Sequence, residues 1–370
     1  VPTFPATWSD ANVTLCHDWL TGMRGGERVL EILCEGFPRA PIVTLIHNPE
    51  AISDVINARN VEASWLQCVP GILEHYRAFL PLFPATIEHF APVETDILIS
   101  TSHCVAKGLR ASSGTRHLCY CFTPMRYAWT FQEEYFAGKP LQALLSRPIL
   151  AALRRWDRKA SMRVDRFVAI SKHVKNRIYD FYGREADVVY PPVDTNRLTP
   201  GSSPHAKFDL IVSALVPYKR IDLAVRAYTR AGHELKIVGV GGDLNALRKT
   251  AGSNIEFLEW QPDETVRELY RTCRMLVFPG EEDFGIVPLE AQACGRPVCA
   301  FAKGGALETV REGLSGVFFT EQSESALLEA VEQCAQTRWD ATAIRAHAET
   351  FDIQRFIDGM QDSLQQLQAN

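Results

Sequence analysis

Two successive series of short apolar runs, each alternating with helix-like patterns, are separated in this chain by a stretch with no period at all. The first series offers strand candidates at Val13–Cys16, Ile42–Ile46, Ile97–Ser100, Leu118–Cys121 and Arg166–Ile170. The second offers Asp209–Ser213, Glu234–Val238, Ile255–Leu258, Met275–Phe278 and Val298–Phe301, with helical patterns between them at Asp222–Thr229, Leu244–Thr250, Glu264–Cys273 and Val287–Cys294. Runs this short and this apolar suit strands covered on both faces, and the helices between them are the crossovers that parallel pairing requires. The aperiodic stretch, PPVDTNRLTPGSSPHAK from Pro191 to Lys207, is rich in Pro, Ser and Gly, as linkers are. The pattern predicts an α/β protein of two Rossmann-like lobes, residues 1–190 and 208–352, joined by a linker at 191–207 and facing each other across a cleft. A final segment, 353–370, carries a helix from Ile353 to Leu367 that is expected to fold back on the first lobe. With 370 residues, 46% of them hydrophobic, the chain is long enough to fill two cores.

Within the second series one stretch stands out, MLVFPGEEDFGIVPLEAQACGRPVCAFAKGG from Met275 to Gly305. An apolar run breaks at Pro279 and Gly280, passes three acids, and enters a helix near Pro288. Proline fits a first helical turn, where its missing N–H costs nothing. A strand, a sharp loop and a helix whose free amides face the strand's carboxyl end form an anion pocket. Glu282 in the loop and Glu290 about one turn into the helix can both reach a ligand held there.

A net charge of −5 gives no electrostatic basis for binding nucleic acid, so none is expected as a partner. Ten cysteines lie scattered with no CxxC pair, several inside apolar runs. That distribution suits reduced, buried thiols in a reducing cytosol better than a disulfide framework or a zinc site. No apolar run is long enough to cross a bilayer, and the N-terminus shows no basic-then-apolar signal pattern, so a cytoplasmic location is expected. The stretch Leu141–Val164, with Arg154, Arg155, Arg158, Lys159 and Arg163, reads as a basic amphipathic helix. Such a helix is either a solvated face or a peripheral contact with the inner, cytoplasmic membrane face. The aromatic-rich stretch ILEHYRAFLPLFPATIEHF, between Gly71 and Phe90, is either core or the lining of an acceptor cleft. Gly25 and Gly26, after the first strand, are either a tight turn or a place where a ligand meets the backbone. Their spacing is not GxGxxG, which argues against a dinucleotide-binding oxidoreductase.

The string EEDFGIVPLEAQACGRPV resembles the E-x7-E signature of retaining GT-B glycosyltransferases of family 4, with Glu282 and Glu290 as its two acids. SALVPYKRIDLAV resembles the phosphate-binding segment of the same family, and leads to Lys219. HDWLTGMRGGERVL, TSHCVAKGL, YCFTPMRYAW and VAISKHVKNRI are similar to its bacterial mannosyltransferase-like branch, so the resemblance runs over nearly the whole chain.

The resemblance implies a GT-B fold and transfer of a hexose, foremost mannose from GDP-mannose, to a saccharide or lipid-linked saccharide in bacterial polysaccharide biosynthesis, as for lipopolysaccharide or exopolysaccharide. It implies no cofactor beyond the nucleotide-sugar donor and no metal. By the same likeness Glu290 holds the ribose hydroxyls, as an ionised carboxylate accepts two hydrogen bonds from a diol. Glu282 holds hydroxyls of the donor sugar. The amides of Gly285, Ile286 and Val287 cradle the diphosphate with Lys219, whose charge offsets the negative charge developing on the leaving group. Phe284, in the same string, joins the donor-binding residues, and Arg220 or Arg126 is the candidate second cation. In the first lobe the resemblance points to Gly25 and Gly26 for backbone approach; His103, at a strand's carboxyl end where ligands bind, is either a catalytic residue or a structural hydrogen-bonder. Two positions depart from the family. Relatives often carry a histidine where this chain has Phe122, and many carry an arginine at the place of Ala214. A nucleotide-sugar epimerase and a non-catalytic sugar-nucleotide-binding relative are the alternative readings. Trp260 is a candidate to stack on the base, if it is not buried.

Overall fold

The computed structural model describes residues 2–130, 140–201 and 207–369. The chain divides into two compact units, one of residues 1–191 with 356–370 and one of residues 192–355. The break follows Pro191, where the expected linker begins; residues 202–206 of that linker lie outside the described residues.

The first unit is built on seven strands, β1 (Val13–His17), β2 (Ile42–Thr44), β3 (Val61–Ala63), β4 (Ile97–Ser102), β5 (Arg116–Cys121), β6 (Arg166–Ala169) and β7 (Ala186–Val188). They form one parallel sheet in the order β3-β2-β1-β4-β5-β6-β7. β1 is buried at every residue, with Leu15 between Ile42 and Ile99. The five strands expected from the sequence are the interior ones. The two edge strands are three residues long and partly exposed, so neither leaves an apolar run to be read.

Tyr76, Phe83 and Phe90 place one face of the stretch between Gly71 and Phe90 in the core, while His75 and His89 among others stay exposed. Trp19 meets Tyr76 at 5.3 Å and Phe83 at 5.8 Å between ring centroids, and Ile87 and Phe90 are buried beside them. Leu73 and Leu82 remain on the surface. Below this core lies a buried ion pair. Lys107 Nζ stands 2.6 Å from Asp157 Oδ1 and donates to the Cys104 carbonyl at 2.7 Å, while Tyr182 and Trp129 both donate to Asp157 Oδ2. These contacts tie the long helix Pro140–Ser161 to the helix Lys172–Tyr182 and to the turn after β4. Much of the basic character of that long helix is used the same way. Arg154 donates to the Ala128 carbonyl, Arg158 to that of Phe181, and Arg163, just past the helix, pairs with Glu88 at 2.7 Å. Arg155, Arg158 and Lys159 are its exposed bases among the five named above. Among the described residues no helix is long and apolar enough to cross a membrane.

The C-terminal helix, Ile353–Ala369, contributes its residues from Phe356 onward to the first unit. Phe356 meets the ring of Tyr120 edge-on at 5.5 Å, and Tyr120 donates to the Val189 carbonyl at 2.9 Å.

The second unit has six parallel strands, β8 (Asp209–Val212), β9 (Leu235–Val238), β10 (Ile255–Glu259), β11 (Leu276–Phe278), β12 (Val298–Phe301) and β13 (Gly316–Phe319), in the order β10-β9-β8-β11-β12-β13. All but the edge strand β13 were expected. The helix Ile221–Ala231 buries Leu223, Ala224, Val225, Ala227 and Tyr228 on one face. At the foot of β8, Arg274 donates to both oxygens of the buried Asp209, at 2.8 and 2.6 Å, and Tyr228 adds a third bond at 2.6 Å. A buried carboxylate survives only with this degree of pairing.

All ten cysteines are free thiols, and nine are buried. Burial pushes Cys34, Cys294 and Cys334 up to about 12, far from the thiolate that reacts. Cys68 is exposed. In the native protein a soluble disulfide reagent should therefore titrate Cys68 first, as one rapid equivalent, and reach the other nine only on unfolding. Several rapid equivalents in the native state would contradict this packing.

Candidate functional site

Each sheet order reverses once, between β1 and β4 in the first unit and between β8 and β11 in the second. In open parallel sheets the crevice at such a reversal, at the strands' carboxyl ends, is where ligands bind. The sequence-derived candidates fall on these two edges.

In the second unit the reversal brings together the loops after β8 and β11. β11 ends at Phe278, and the following turn rests directly on the backbone at Lys219: a Cβ added to Gly280 would lie 2.8 Å from Lys219 Cα. On its other flank the loop is held by the segment after β12. Gly305 N–H donates to the Glu282 carbonyl at 2.8 Å, and a Cβ at Gly305 would sit 2.3 Å from Phe284 Cα. Only glycine permits these two approaches. The loop then enters the helix Ile286–Ala293 through Gly285, whose φ of +92° is in the left-handed region. Pro288 occupies the third helical position, where no intrahelical donor is needed. The amides of Ile286 and Val287 are first-turn donors, which the helix itself leaves unbonded, at its positive end.

The three acids of the loop have separate fates. Glu281 pairs with Lys303 at 3.0 Å, Glu282 Oε1 pairs with Lys219 Nζ, and Asp283 is buried. Lys219 ends the short turn Pro217–Lys219, and its ammonium lies 5.3 Å from the centre of the Tyr218 ring. Arg220 follows with φ +54° and bonds Gln322 at 2.6 Å and Asp222 at 3.3 Å. Gln322 in turn donates to the Pro279 carbonyl, so the guanidinium of Arg220 braces the loop. The side chain of Phe284 is buried and packs toward Phe351 at 6.1 Å, so its ring supports the loop from inside. Glu290 accepts a hydrogen bond from the buried hydroxyl of Tyr270 at 2.7 Å. Trp260 is 71% exposed, which removes the buried alternative. It follows Glu259, a non-glycine residue at φ +57° whose carboxylate pairs with Arg248.

In the first unit, β1 runs directly into Asp18. This fully buried carboxylate accepts four backbone hydrogen bonds, from the amides of His103, Cys104, Val105 and Ala106, at 2.6 to 2.9 Å. His103 Nδ1 approaches the same group at 3.0 Å. Burial alone would raise the Asp18 pKa; the charge and hydrogen bonds of His103 overcome it and hold the carboxyl well below its ordinary range. His17 is buried beside it, with Nδ1 2.7 Å from the Thr101 hydroxyl and Nε2 3.9 Å from Glu27. Gly25 and Gly26 begin the helix Gly25–Gly36, and Glu27 accepts from the Arg24 amide at 3.1 Å across that first turn. A Cβ at Gly26 would lie 3.3 Å from the Phe122 ring. Arg126, the other candidate cation, opens the short helix Arg126–Trp129 of this unit.

Sequence reasoning passed over Tyr270 and Asp18. Tyr270 sits in an amphipathic helix, Asp263–Thr272, where an aromatic reads as core. Asp18 carried a weak signal, an acid placed directly after the strand Val13–His17.

Residues 23–197 match the family model described as Glycosyltransferase Family 4, and residues 195–349 match that described as Glycosyl transferases group 1. The D-inositol 3-phosphate glycosyltransferase of Rhodococcus erythropolis is 31% identical over 243 residues, covering 56% of this chain and 54% of the relative. An uncharacterized glycosyltransferase of Methanocaldococcus jannaschii is 30% identical over 177 residues, covering 46% of this chain and 50% of the relative. The chain spans about half the length of the relatives it matches. Among solved structures, Anabaena HepE in complex with UDP and glucose superposes with a TM-score of 0.72 at 18% identity, over 96% of this chain and 99% of that one. The lipopolysaccharide outer core galactosyltransferase WaaB, apo form, gives 0.67 at 16% identity over 96% and 99%. At such identities the likeness bears on the fold alone, and that fold is GT-B. Together the two family models span residues 23–349, and the chain belongs to the glycosyltransferases that they describe, family 4 and group 1.

If Glu290 holds a nucleotide, Tyr270→Phe should weaken binding of a nucleoside diphosphate by about tenfold, the effect of one hydrogen bond to a charged group. Calorimetry on both variants and their combination checks it: in a Glu290→Ala background the Tyr270 substitution should change nothing further.

Proposed function

We propose that this chain transfers a hexose from a nucleoside diphosphate donor to a saccharide or lipid-linked saccharide acceptor, with retention at the anomeric carbon. The observation that carries the reading is the arrangement around the loop after β11: an ammonium, an acid and the open amides of a helix start, assembled at the sheet's reversal point. Lys219 and the amides of Gly285, Ile286 and Val287 bind the diphosphate, Glu282 takes hydroxyls of the donor sugar, and Glu290 takes those of the ribose. Trp260, exposed at the end of β10, stacks on the base.

In the reaction the bond from the anomeric carbon to the diphosphate oxygen breaks and its electron pair leaves with the diphosphate. The acceptor oxygen forms the new bond on the same face, and its proton passes to the departing phosphate oxygen. Such a step asks little of acid–base groups and much of positioning and charge stabilisation. Lys219 supplies the charge where it develops.

GDP-mannose is the proposed donor on the sequence resemblance. UDP-glucose is the donor to set against it, since HepE, of the same fold, has been solved with UDP-glucose. Incubation with GDP- and UDP-sugars and a panel of saccharide acceptors tests the proposal, with released nucleoside diphosphate as the readout; no release and no binding of any donor would end it. Release of a new sugar nucleotide without acceptor would favour the epimerase.

Because Glu282 pairs with Lys219, a donor's diphosphate must displace that carboxylate. Glu282→Gln should therefore tighten binding of the bare nucleoside diphosphate while lowering turnover of the donor by at least about tenfold, the loss of a charged hydrogen bond. Lys219→Ala should lower turnover by roughly a hundredfold or more, as expected when a group facing developing negative charge is removed. Titration calorimetry and initial rates on the same samples separate the two effects.

A further inference from the structure

The side chains of Lys107 and Asp157 are both 0% exposed, with Nζ 2.6 Å from Oδ1, and the donor chemistry uses neither. Taking two charges out of water carries a large desolvation penalty. Uncharged groups of similar volume commonly replace such a pair with no loss of stability, so stability is a poor reason to keep it. What each charge holds gives a better one.

The Lys107 ammonium donates to the Cys104 carbonyl at 2.7 Å, and the Val105 amide donates to Asp18 Oδ1 at 2.6 Å. That carbonyl and that amide are the two ends of one planar peptide group. A buried cation grips its oxygen and a buried anion its N–H, each charge at the end of the peptide dipole that it favours. The neighbouring amides, of His103, Cys104 and Ala106, point to the same carboxylate. Burial works against the charge on Lys107; Asp157 more than offsets it, holds the pKa above the ordinary lysine value and keeps the ammonium protonated. Asp157 also extends the hold to a second segment. Its other oxygen accepts from Trp129 Nε1 at 2.8 Å and from the Tyr182 hydroxyl at 2.6 Å. Trp129 closes the short helix Arg126–Trp129 that follows β5, and its ring stacks on that of Phe181 at 4.7 Å between centroids. Asp18, Lys107 and Asp157 thus form a row of alternating charge beneath the carboxyl edge of the sheet, joining the segments that follow β1, β4 and β5.

We propose that Lys107 and Asp157 are positioning residues for glycosyl transfer. Acting through the Cys104–Val105 peptide and through Trp129, they set the geometry of that edge, and turnover requires their charge, not only their packing. The proposal rests on the glycosyltransferase reading, and assigns to that activity two residues that act through the backbone and not on a ligand. A purely structural pair would lower stability on removal and leave the turnover of the folded protein as it was. A positioning pair lowers turnover at saturating donor even where stability is kept.

The full chain is assayed for nucleoside diphosphate release across GDP- and UDP-sugars, with GDP and UDP affinities by calorimetry and thermal unfolding on the same samples. Lys107→Met combined with Asp157→Asn removes both charges while keeping the volume and an acceptor for Trp129 and Tyr182. This double variant should melt close to the parent and bind GDP or UDP as the parent does. Its turnover at saturating donor should fall between about ten- and a hundredfold, the effect of a displaced group remote from the chemistry. The imidazole nitrogen shifts of His103 should move as well, since its ring and its amide both rest on Asp18. Trp129→Phe, which keeps a ring for Phe181 but removes the N–H donor, is the milder variant; it should slow turnover several-fold, and it decides the matter if the double variant does not fold. Ile178→Ala opens a cavity in the helix Lys172–Tyr182 at a fully buried residue outside the row. Assayed well below its melting temperature, it should turn over as the parent does. Parent-like turnover in the folded variants of the row, or an equal loss in Ile178→Ala, overturns the assignment while the glycosyltransferase reading stands. If the parent releases nucleoside diphosphate from no donor, that reading fails and the assignment falls with it.

Discussion

A parallel sheet delivers the carboxyl end of every strand to one edge, and almost every functional assignment in this chain follows from that constraint. The two units each satisfy it with a single reversal of strand order, where two loops diverge. In the second unit the exposed amides belong to a helix that starts immediately beyond the loop, so the edge is positive before any side chain is considered. In the first unit the amides of the turn after β4 are instead satisfied internally, by Asp18. One edge is thus prepared for an anion, and the other presents side chains.

Close backbone contact keeps the anion-binding edge in shape. The loop after β11 is pressed between the Lys219 segment and the Gly304–Gly305 segment, backbone against backbone at Gly280 and Gly305. Around this clamp, charges brace one another: Arg220 reaches Gln322, which reaches Pro279, and Glu281 reaches Lys303. The ring of Phe284 fills the space inside. Such packing leaves the donor-facing groups few and fixed, as preorganised electrostatic stabilisation requires.

The interior of both sheets could be read from the sequence because strands covered on both faces are mostly apolar. β3 and β7 sit at edges, are three residues long and are partly exposed, so the same physics left little mark for them, whereas β13, GVFF, is an apolar run that the reading passed over. The loop glutamate, the helix start and Lys219 were legible as residue types at a spacing. Their internal partners were not. Tyr270 looks like core, and its hydroxyl gains meaning only when Glu290 is brought within 2.7 Å by the fold. Phe284 shows the converse, a residue between two candidate site positions whose side chain turns inward. The bases of the long helix show the same limit: charge is visible in a sequence, but whether an arginine is solvated or spent on a carbonyl is decided by the neighbours that tertiary packing supplies.

The pairing of Lys219 with Glu282 has one more implication, for selectivity among anions. A small ion such as inorganic phosphate that captures the ammonium leaves a carboxylate, with its side chain only 20% exposed, stripped of its counter-charge. A ligand bearing both a phosphate and a ring of hydroxyls supplies replacements for each partner at once. On the proposed donor reading, the resting ion pair sets a threshold that incomplete ligands do not cross, a built-in penalty on the wrong guest.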